Sequence, residues 1–400
     1  MQKKTVKDVE VRGKRVLVRV DFNVPLDPDG KIEDDSRIRA CLPTIIYLTG
    51  HGARVILCSH LGRPHGRVDI RLRLEPVARC LSDLLGIPVE ALRGAVGPGV
   101  EQAVSAMQDG DIVMLENLRF YPGEEENDPG FARDLSSLAD LFVNDAFGAS
   151  HRTHASIVGI ASHLPCVAGL LMEKEIEQLS SLFEDPPRPF ALIMGGAKVE
   201  EKIGILENII PHVDLVLTGG GVAAAFLQAR GYSAGSSPSD PATLVLVKTI
   251  IKIAETFGVR ILLPEDVVVT AGPEPGGAYR RASSDRIPAG FRIADIGPLT
   301  IAGYTRELQR CRTVAWNGPL GIFEIPQFSE GTKAIAAALA GLDAITVIGG
   351  GSTAEAVTQL GLVPKMTHVS TGGGAFLRFL SGKTLPGLEV LADRTGQDPS

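Results

Sequence analysis

The sequence predicts an α/β protein made of two doubly wound parallel-sheet halves joined by a helix. Short β-branched runs alternate with longer amphipathic stretches along the whole chain, the pattern of parallel strands wrapped by helices. Nearly every polar candidate follows directly after a strand, where open α/β sheets bind their ligands. Glycine clusters able to cradle a phosphate occur only in the second half, whereas the strand ends of the first half carry Asp, Asn, His and Arg.

In the first half the strands are read at Arg15–Val20, Arg54–Ser59, Asp111–Glu116 and Leu141–Asp145. A helix is read over Leu74–Leu85, where Leu74, Val77, Ala78, Leu81, Leu84 and Leu85 share one face. A charged amphipathic stretch, Glu173–Glu184, is read as the connecting helix; it stops at Asp185-Pro186-Pro187-Arg188-Pro189, which cannot continue a helix. Strands of the second half are read at Phe190–Met194, Leu215–Thr218, Arg260–Pro264, Thr313–Trp316, Ala344–Ile348 and His368–Ser370. Gly272–Gly290, rich in Gly, Pro and Arg, reads as a surface excursion, with a hairpin as one form of it. Asp393–Ser400 reads as a frayed end.

A chain of 400 residues with 44% hydrophobic and 22% charged residues has material for two cores. A net charge of −7 argues against general nucleic-acid binding, so basic groups that hold anions must be focused rather than spread. The five cysteines are widely separated, without a C-x-x-C pair, and read as reduced thiols. No apolar run approaches the length that crosses a bilayer, and the first residues lack a signal-type apolar core. A soluble cytoplasmic protein is expected.

The glycine clusters are Gly195-Gly196-Ala197-Lys198, Thr218-Gly219-Gly220-Gly221, Gly349-Gly350-Gly351-Ser352 and Thr371-Gly372-Gly373-Gly374. Each joins an apolar run to a helical pattern, so backbone N–H groups at a helix start would face an anion. Gly382-Lys383-Thr384 has Leu377 where a P-loop needs its first glycine, which excludes that mechanism. Gly219–Ala224 and Gly349–Ala354 satisfy a loose dinucleotide pattern, but the acid that should end the next strand is missing after Gly349, and Asp240 after Gly221 sits in a Ser/Pro loop. Lys198 and Lys202 lie one helical turn apart, either facing one phosphate chain or forming a solvated helix start with Glu200 and Glu201. Lysine at a helix N-terminus opposes the dipole, a cost that an anion bound there would offset.

In the first half Asp21 and Asn23 alternate with Val20, Phe22 and Val24, which puts the two polar side chains on one face. A strand end with an Asx turn before Pro25 is the competing reading. His60 and His154 taken singly read as structural histidines. Arg63, Arg119 and Arg152, each just past a strand, together favour a phosphate. Trp316 and Asn317, followed by Glu324, either contact a base and ribose or, for the indole, belong to the core.

In order along the chain the motifs are R-V-D-F-N-V-P, S-R-I, S-H-L-G-R-P, E-N-L-R-F, N-D-A-F-G, H-R-T-H-A-S, G-G-A-K-V-x-x-K, W-N-G-P-L-G-x-F-E, G-G-G-S-T and H-V-S-T-G-G-G-A. Carrying them from about Val16 to Leu391, the sequence resembles the phosphoglycerate kinase family. The resemblance implies two domains facing a cleft. Residues 1–172 would bind 3-phosphoglycerate or 1,3-bisphosphoglycerate, 173–185 form the inter-domain helix, 186–382 bind ATP or ADP with Mg²⁺, and 383–400 pack back on the first domain. It also implies a monomer with small-molecule partners only.

By the same resemblance Asp21, Phe22 and Asn23 would hold the glycerate. His60, Leu61, Gly62, Arg63, Arg119 and Arg152 would hold the 3-phosphate, and Arg37 would stand beside the phosphoryl group in flight. Lys198, Lys202, Gly219, Gly297, Asn317, Glu324, Gly350, Gly351, Ser352 and Thr353 match the nucleotide side, with Gly350 and Gly373 as helix starts at the transferring group. The acceptor carboxylate is already ionised near neutral pH, so the reaction needs in-line positioning and charge neutralisation rather than a general base. The family usually has Asp where this chain has Ser352, the residue that would meet the metal. That departure motivates a second reading, a nucleotide- and anion-binding protein that has lost turnover.

Overall fold

The structure, a computed structural model, describes residues 2–197, 199–237, 239–272, 274 and 277–394. Two units form, one from residues up to Glu177 together with those from Thr384 onward, the other from Gln178–Lys383. In the first unit the strands are β1 (Arg15–Arg19), β2 (Arg54–Cys58), β3 (Val89–Ala91), β4 (Ile112–Met114), β5 (Leu141–Asn144) and β6 (Cys166–Ala168). All pair in parallel, in the order β3-β4-β2-β1-β5-β6. Val16, Leu17 and Val18 of β1 are all fully buried, as expected where helices cover both faces of a parallel sheet. The helix Ser36–Gly50 buries Ile38, Cys41, Ile45 and Leu48 in the same core. Glu75–Leu85 has Pro76 in its first turn and ends at left-handed Gly86.

In the second unit the strands are β7 (Phe190–Met194), β8 (Leu215–Thr218), β9 (Arg260–Leu262), β10 (Asp266–Thr270), β11 (Tyr279–Ser283), β12 (Arg292–Ile296), β13 (Thr313–Asn317), β14 (Ile345–Gly349) and β15 (His368–Val369). The main sheet is parallel, β15-β14-β13-β7-β8-β9, and β11-β10-β12 is a separate antiparallel sheet. Connectivity reverses direction at β1/β5 in the first unit and at β7/β13 in the second, which are the switch points where such sheets open a crevice. Trp316 is fully buried in the core and donates from Nε1 to the Gly318 carbonyl at 2.8 Å, so the indole is core rather than a base contact.

The sequence reading missed β3 and β6, three-residue strands at the two sheet edges that are too short for an alternation signal. It also missed β10, although Val267-Val268-Val269 carries the β-branched signal, and β12. The excursion after Gly272 returns partly as β11, antiparallel to β10 with Asp266 opposite Ser283. The connecting helix runs Leu170–Ser180, not Glu173–Glu184, and the division between units falls inside it. Its start is fixed by a residue remote in sequence: Asp145 Oδ1 accepts the N–H groups of Leu171 and Met172 at 3.0 and 3.1 Å.

In the segment from Thr384, Leu385, Leu388 and Leu391 are buried in the first unit. Gly387 N–H donates to the Ser150 carbonyl, and Asn144 Nδ2 to the Gly387 carbonyl, both at 2.9 Å. Asp393 and Arg394, read as part of a frayed end, are instead tied to Lys3 at 2.8 Å and Asp8 at 3.1 Å. Residues 395–400 of that reading lie outside the described residues.

Candidate active site

The first cluster gathers at the carboxyl ends of β1, β2 and β4. Arg19 closes β1 and is 1% exposed; Asp21 and Asn23 follow at alternate positions. Asp21 Oδ2 accepts from Arg37 Nη1 at 2.7 Å, joining the strand end to the first turn of the helix Ser36–Gly50. Asn23 Oδ1 accepts the Gly62 N–H at 2.9 Å, and Gly62, at φ 63°, turns the chain so that its carbonyl accepts from Arg119 Nη1 at 2.7 Å. Arg63 is exposed and Arg152 half-buried.

Phe22 and Leu61 bury their side chains in the core, so neither offers one to a ligand. The Phe22 N–H is taken by Ser59 Oγ at 2.9 Å. Asn117, which the reading passed over, holds the loop of β2: its Nδ2 donates to the Leu61 carbonyl and its Oδ1 accepts from Leu61 N and Arg119 N. Its signal was local, an Asx side chain capping the turn Leu118–Phe120.

His60 is almost wholly buried. Burial, with Arg19, Arg119, Arg152 and Arg37 around it, holds its pKa well below the usual histidine value, so the ring is neutral. Burial and Arg152 also lower the Arg119 value. Arg119 Nε stands 3.3 Å from Glu125 Oε1 and makes no hydrogen bond there. Beneath the cluster Glu124 accepts from Ser156 Oγ at 2.6 Å, with His154 Nδ1 at 3.6 Å. Burial opposes its ionisation, but His154, Arg19 and Ser156 outweigh that and hold its carboxyl below the ordinary value. The result is a focus of positive charge supported by hydrogen-bonded neighbours, suited to a small phosphorylated acid.

In the second unit a cavity of about 660 Å³ opens above the switch point, lined among others by Gly196, Ala197, Glu200, Gly220, Gly221, Ala224, Arg292, Ile293, Pro319, Ile322, Glu324 and Ser352. Its walls are largely apolar and backbone, suited to a base and sugar, and its size suits a small cofactor. Lys202 sits in the helix Val199–Ile209, is 8% exposed, and donates from Nζ to Asn317 Oδ1. Asn317, ending β13, passes the contact on: Nδ2 donates to the Gly349 carbonyl at 2.8 Å. The Lys202 ammonium is thereby anchored beside the β13/β14 edge.

Gly350 has φ 95°, and a Cβ there would come within 2.6 Å of Asn317 Nδ2, so only glycine fits. Helices start at Gly351 and Gly373, and a Cβ on Gly373 would lie 3.4 Å from the Gly351 nitrogen, so the two N-termini converge. Both present positive dipole ends. Thr353 Oγ1 accepts the Gly318 N–H at 2.8 Å. Gly219 and Gly297 cap the helices Gly220–Ala229 and Pro298–Leu308. Lys198 lies outside the described residues. Arg292, also unread in the sequence, lines the cavity with Nε buried and unpaired.

Among the described residues no group of three or more His, Cys, Asp and Glu is arranged to hold a metal, and no helix is long and apolar enough to cross a membrane. Of the cavity carboxylates, Asp240 caps the helix Pro241–Phe257 through Ala242 N and Thr243 N, and Glu200 accepts from Thr243 Oγ1. The Ser352 hydroxyl stands exposed at a helix start on the same cavity.

Doubly wound sheets, an arginine-rich strand edge and a glycine-built nucleotide-sized cavity define an α/β phosphotransferase. The family model for phosphoglycerate kinase matches residues 6–383. The chain is 54% identical to the phosphoglycerate kinase of Pelotomaculum thermopropionicum and 51% to that of Moorella thermoacetica, each over 98% of this chain and 100% of the relative. It is similar to the solved phosphoglycerate kinase of Coxiella burnetii, at 38% identity and a TM-score of 0.85 over 98% of this chain and 99% of that one. The Pyrococcus horikoshii enzyme gives 35% identity and the same TM-score over 97% and 98%. The chain belongs to the phosphoglycerate kinase family, and its reaction is the reversible phosphoryl transfer of glycolysis. A scaffold that has lost turnover is not favoured.

Proposed function

We propose that residues at the ends of β1, β2 and β4 hold 3-phosphoglycerate or 1,3-bisphosphoglycerate, and that the cavity over β7 and β13 holds ADP or ATP. Arg63, Arg119 and Arg152 supply guanidinium forks for the phosphate that does not react, His60 a neutral hydrogen-bond donor, and Asp21 and Asn23 the contacts to the glycerate. Arg37 neutralises charge on the transferring group. Lys202, with Lys198, meets the nucleotide phosphates, and the helix N-termini at Gly350, which caps Gly351–Gln359, and at Gly373 face the same charge. Glu324 reaches the ribose.

The acceptor is a carboxylate, ionised near neutral pH, so no proton is removed in the transfer step. Rate comes from in-line placement of the acceptor oxygen and the γ-phosphorus and from fixed positive charge around the equatorial oxygens. A magnesium ion, held mostly by the nucleotide phosphates and touched by Ser352, would supply further charge neutralisation. Oxygen is the donor it prefers, and the Ser352 hydroxyl on this cavity fits such a single protein contact. We propose a cytoplasmic monomer that acts on small molecules and binds neither nucleic acid nor membrane.

The observation that carries this reading is the anchored Lys202–Asn317–Gly349 contact beside a cavity of about 660 Å³. The test is a steady-state assay in both directions, with 3-phosphoglycerate and ATP or with 1,3-bisphosphoglycerate and ADP. Turnover absent in both directions ends it.

A further inference from the structure

Arg19 makes contacts that its place at a strand end does not require. Its Nε donates to Ser156 Oγ at 2.9 Å, Nη1 to the Val20 carbonyl, and Nη2 stands 3.0 Å from His60 Nδ1. A guanidinium has only N–H groups to offer and stays charged over the whole working range of pH. His60 Nδ1 must therefore be the lone-pair nitrogen in this contact. A neutral imidazole then carries its proton on Nε2, and a second proton has no place at Nδ1.

We propose that Arg19 is a positioning residue that fixes His60 as a neutral Nε2–H donor, so that the ring gives the phosphorylated acid a hydrogen bond without a titrating charge. The proposal rests on the reading of this strand edge as the acid's site. Burial opposes a second proton on the ring most strongly, and charged groups around it add to that: Arg19 from β1, Arg119 after β4, Arg152 after β5 and Arg37 from the helix Ser36–Gly50. One carboxylate works the other way, Asp21, with Oδ1 3.9 Å from His60 Nδ1, but its other oxygen is paired with Arg37. Arg19 is itself held in place through Ser156, whose hydroxyl donates to Glu124. If Arg19 were removed, Nδ1 would lose the donor that keeps it bare, and Asp21 would be the group left to favour a proton there.

The test is a long-range ¹H–¹⁵N correlation of histidine-labelled protein between about pH 5 and pH 8, the span in which an ordinary histidine charges. His60 is assigned by its loss in His60→Gln. The wild-type ring should show a protonated Nε2 and a bare Nδ1 throughout. An Nδ1–H tautomer or a doubly protonated ring at neutral pH overturns the proposal, and this measurement needs no variant of Arg19 to fold.

Arg19→Met should give a neutral ring whose proton moves at least partly to Nδ1. Its KM for 3-phosphoglycerate should rise about tenfold, equivalent to roughly 1.4 kcal/mol. Arg19→Lys, which keeps a charged donor, should restore the wild-type tautomer. Identical spectra for wild type and Arg19→Met would remove Arg19 from the role. An Nε2–H ring combined with an unchanged KM in His60→Gln would defeat the substrate-site reading and leave the tautomer assignment standing.

Discussion

At the scale of single residues, charge carries the strongest expectations. Arg63 is exposed and Arg119 is buried with one donor unpaired, so both have capacity left for an anion. Truncating either to alanine should weaken 3-phosphoglycerate binding by about 1.5–3 kcal/mol, the usual worth of a hydrogen bond to a charged group. The effect should fall mainly on KM, because the phosphate we propose for them is the one that does not react. Steady-state kinetics that leave KM unchanged in both variants would take them out of the site. Ser352 offers a neutral oxygen, the weaker ligand for a hard cation, where an aspartate would offer an anionic one. Ser352→Asp should therefore reach half-maximal rate at lower free Mg²⁺, read from a titration at saturating nucleotide. An equal or higher requirement would show that another group already serves the ion.

At the scale of elements, buried acids hold helix starts. Asp295 lies in β12 and accepts from Ile296 N at 2.9 Å and from Gly331 N, at the start of Glu330–Ala340, at 2.8 Å. Burial, opposed by these two bonds, raises its pKa from 3.8 to about 7. The folded state thus binds the proton more tightly than the unfolded chain. The stability it contributes is full below the unfolded value of 3.8 and is lost as pH rises through about 7. Asp295→Asn lacks this titration and one acceptor. The wild type should lose stability relative to the variant as pH rises across that interval, with no further change above it. Denaturant melts at a series of pH values measure the difference, and a constant offset would mean that Asp295 keeps an ordinary pKa in the fold.

At the scale of the whole chain, the first unit is completed by residues that come last in sequence. Truncation before Thr384 would strip Leu385, Leu388 and Leu391 from its core, each worth about 1.5–3 kcal/mol when fully buried. Calorimetry of the truncated chain should show the first unit melting well below its temperature in the full chain. An unchanged transition would make the segment dispensable. On our proposal that the nucleotide binds one unit and the acid the other, transfer also needs the reacting atoms in line at about 3–3.5 Å. We expect small-angle scattering to give a smaller radius of gyration with both substrates bound than with either one. Equal radii would mean that ligands do not bring the units together.

The sequence by itself determined the fold class, because central parallel strands such as Val16-Leu17-Val18 and Ala191-Leu192-Ile193 must be apolar on both faces and so stand out from their helices. It also determined which residues gather at the strand ends, since side chains that follow a strand emerge at one edge of the sheet. The motifs exposed this for Asp21, His60, Arg119 and Asn317, and for the glycines at Gly196 and Gly350 where backbone must come close. Only the tertiary structure decided what each side chain does there. That Phe22 and Leu61 face the core, that Asn117 ties down the β2 loop, and that Arg19 meets His60 from 41 positions away depends on contacts between distant segments. The start of the helix at Leu170 is set in the same way by Asp145, 26 positions from Leu171. Local pattern records which face of an element is apolar. Partners for a buried charge are chosen only when the chain closes around it, because desolvation makes those few contacts decisive.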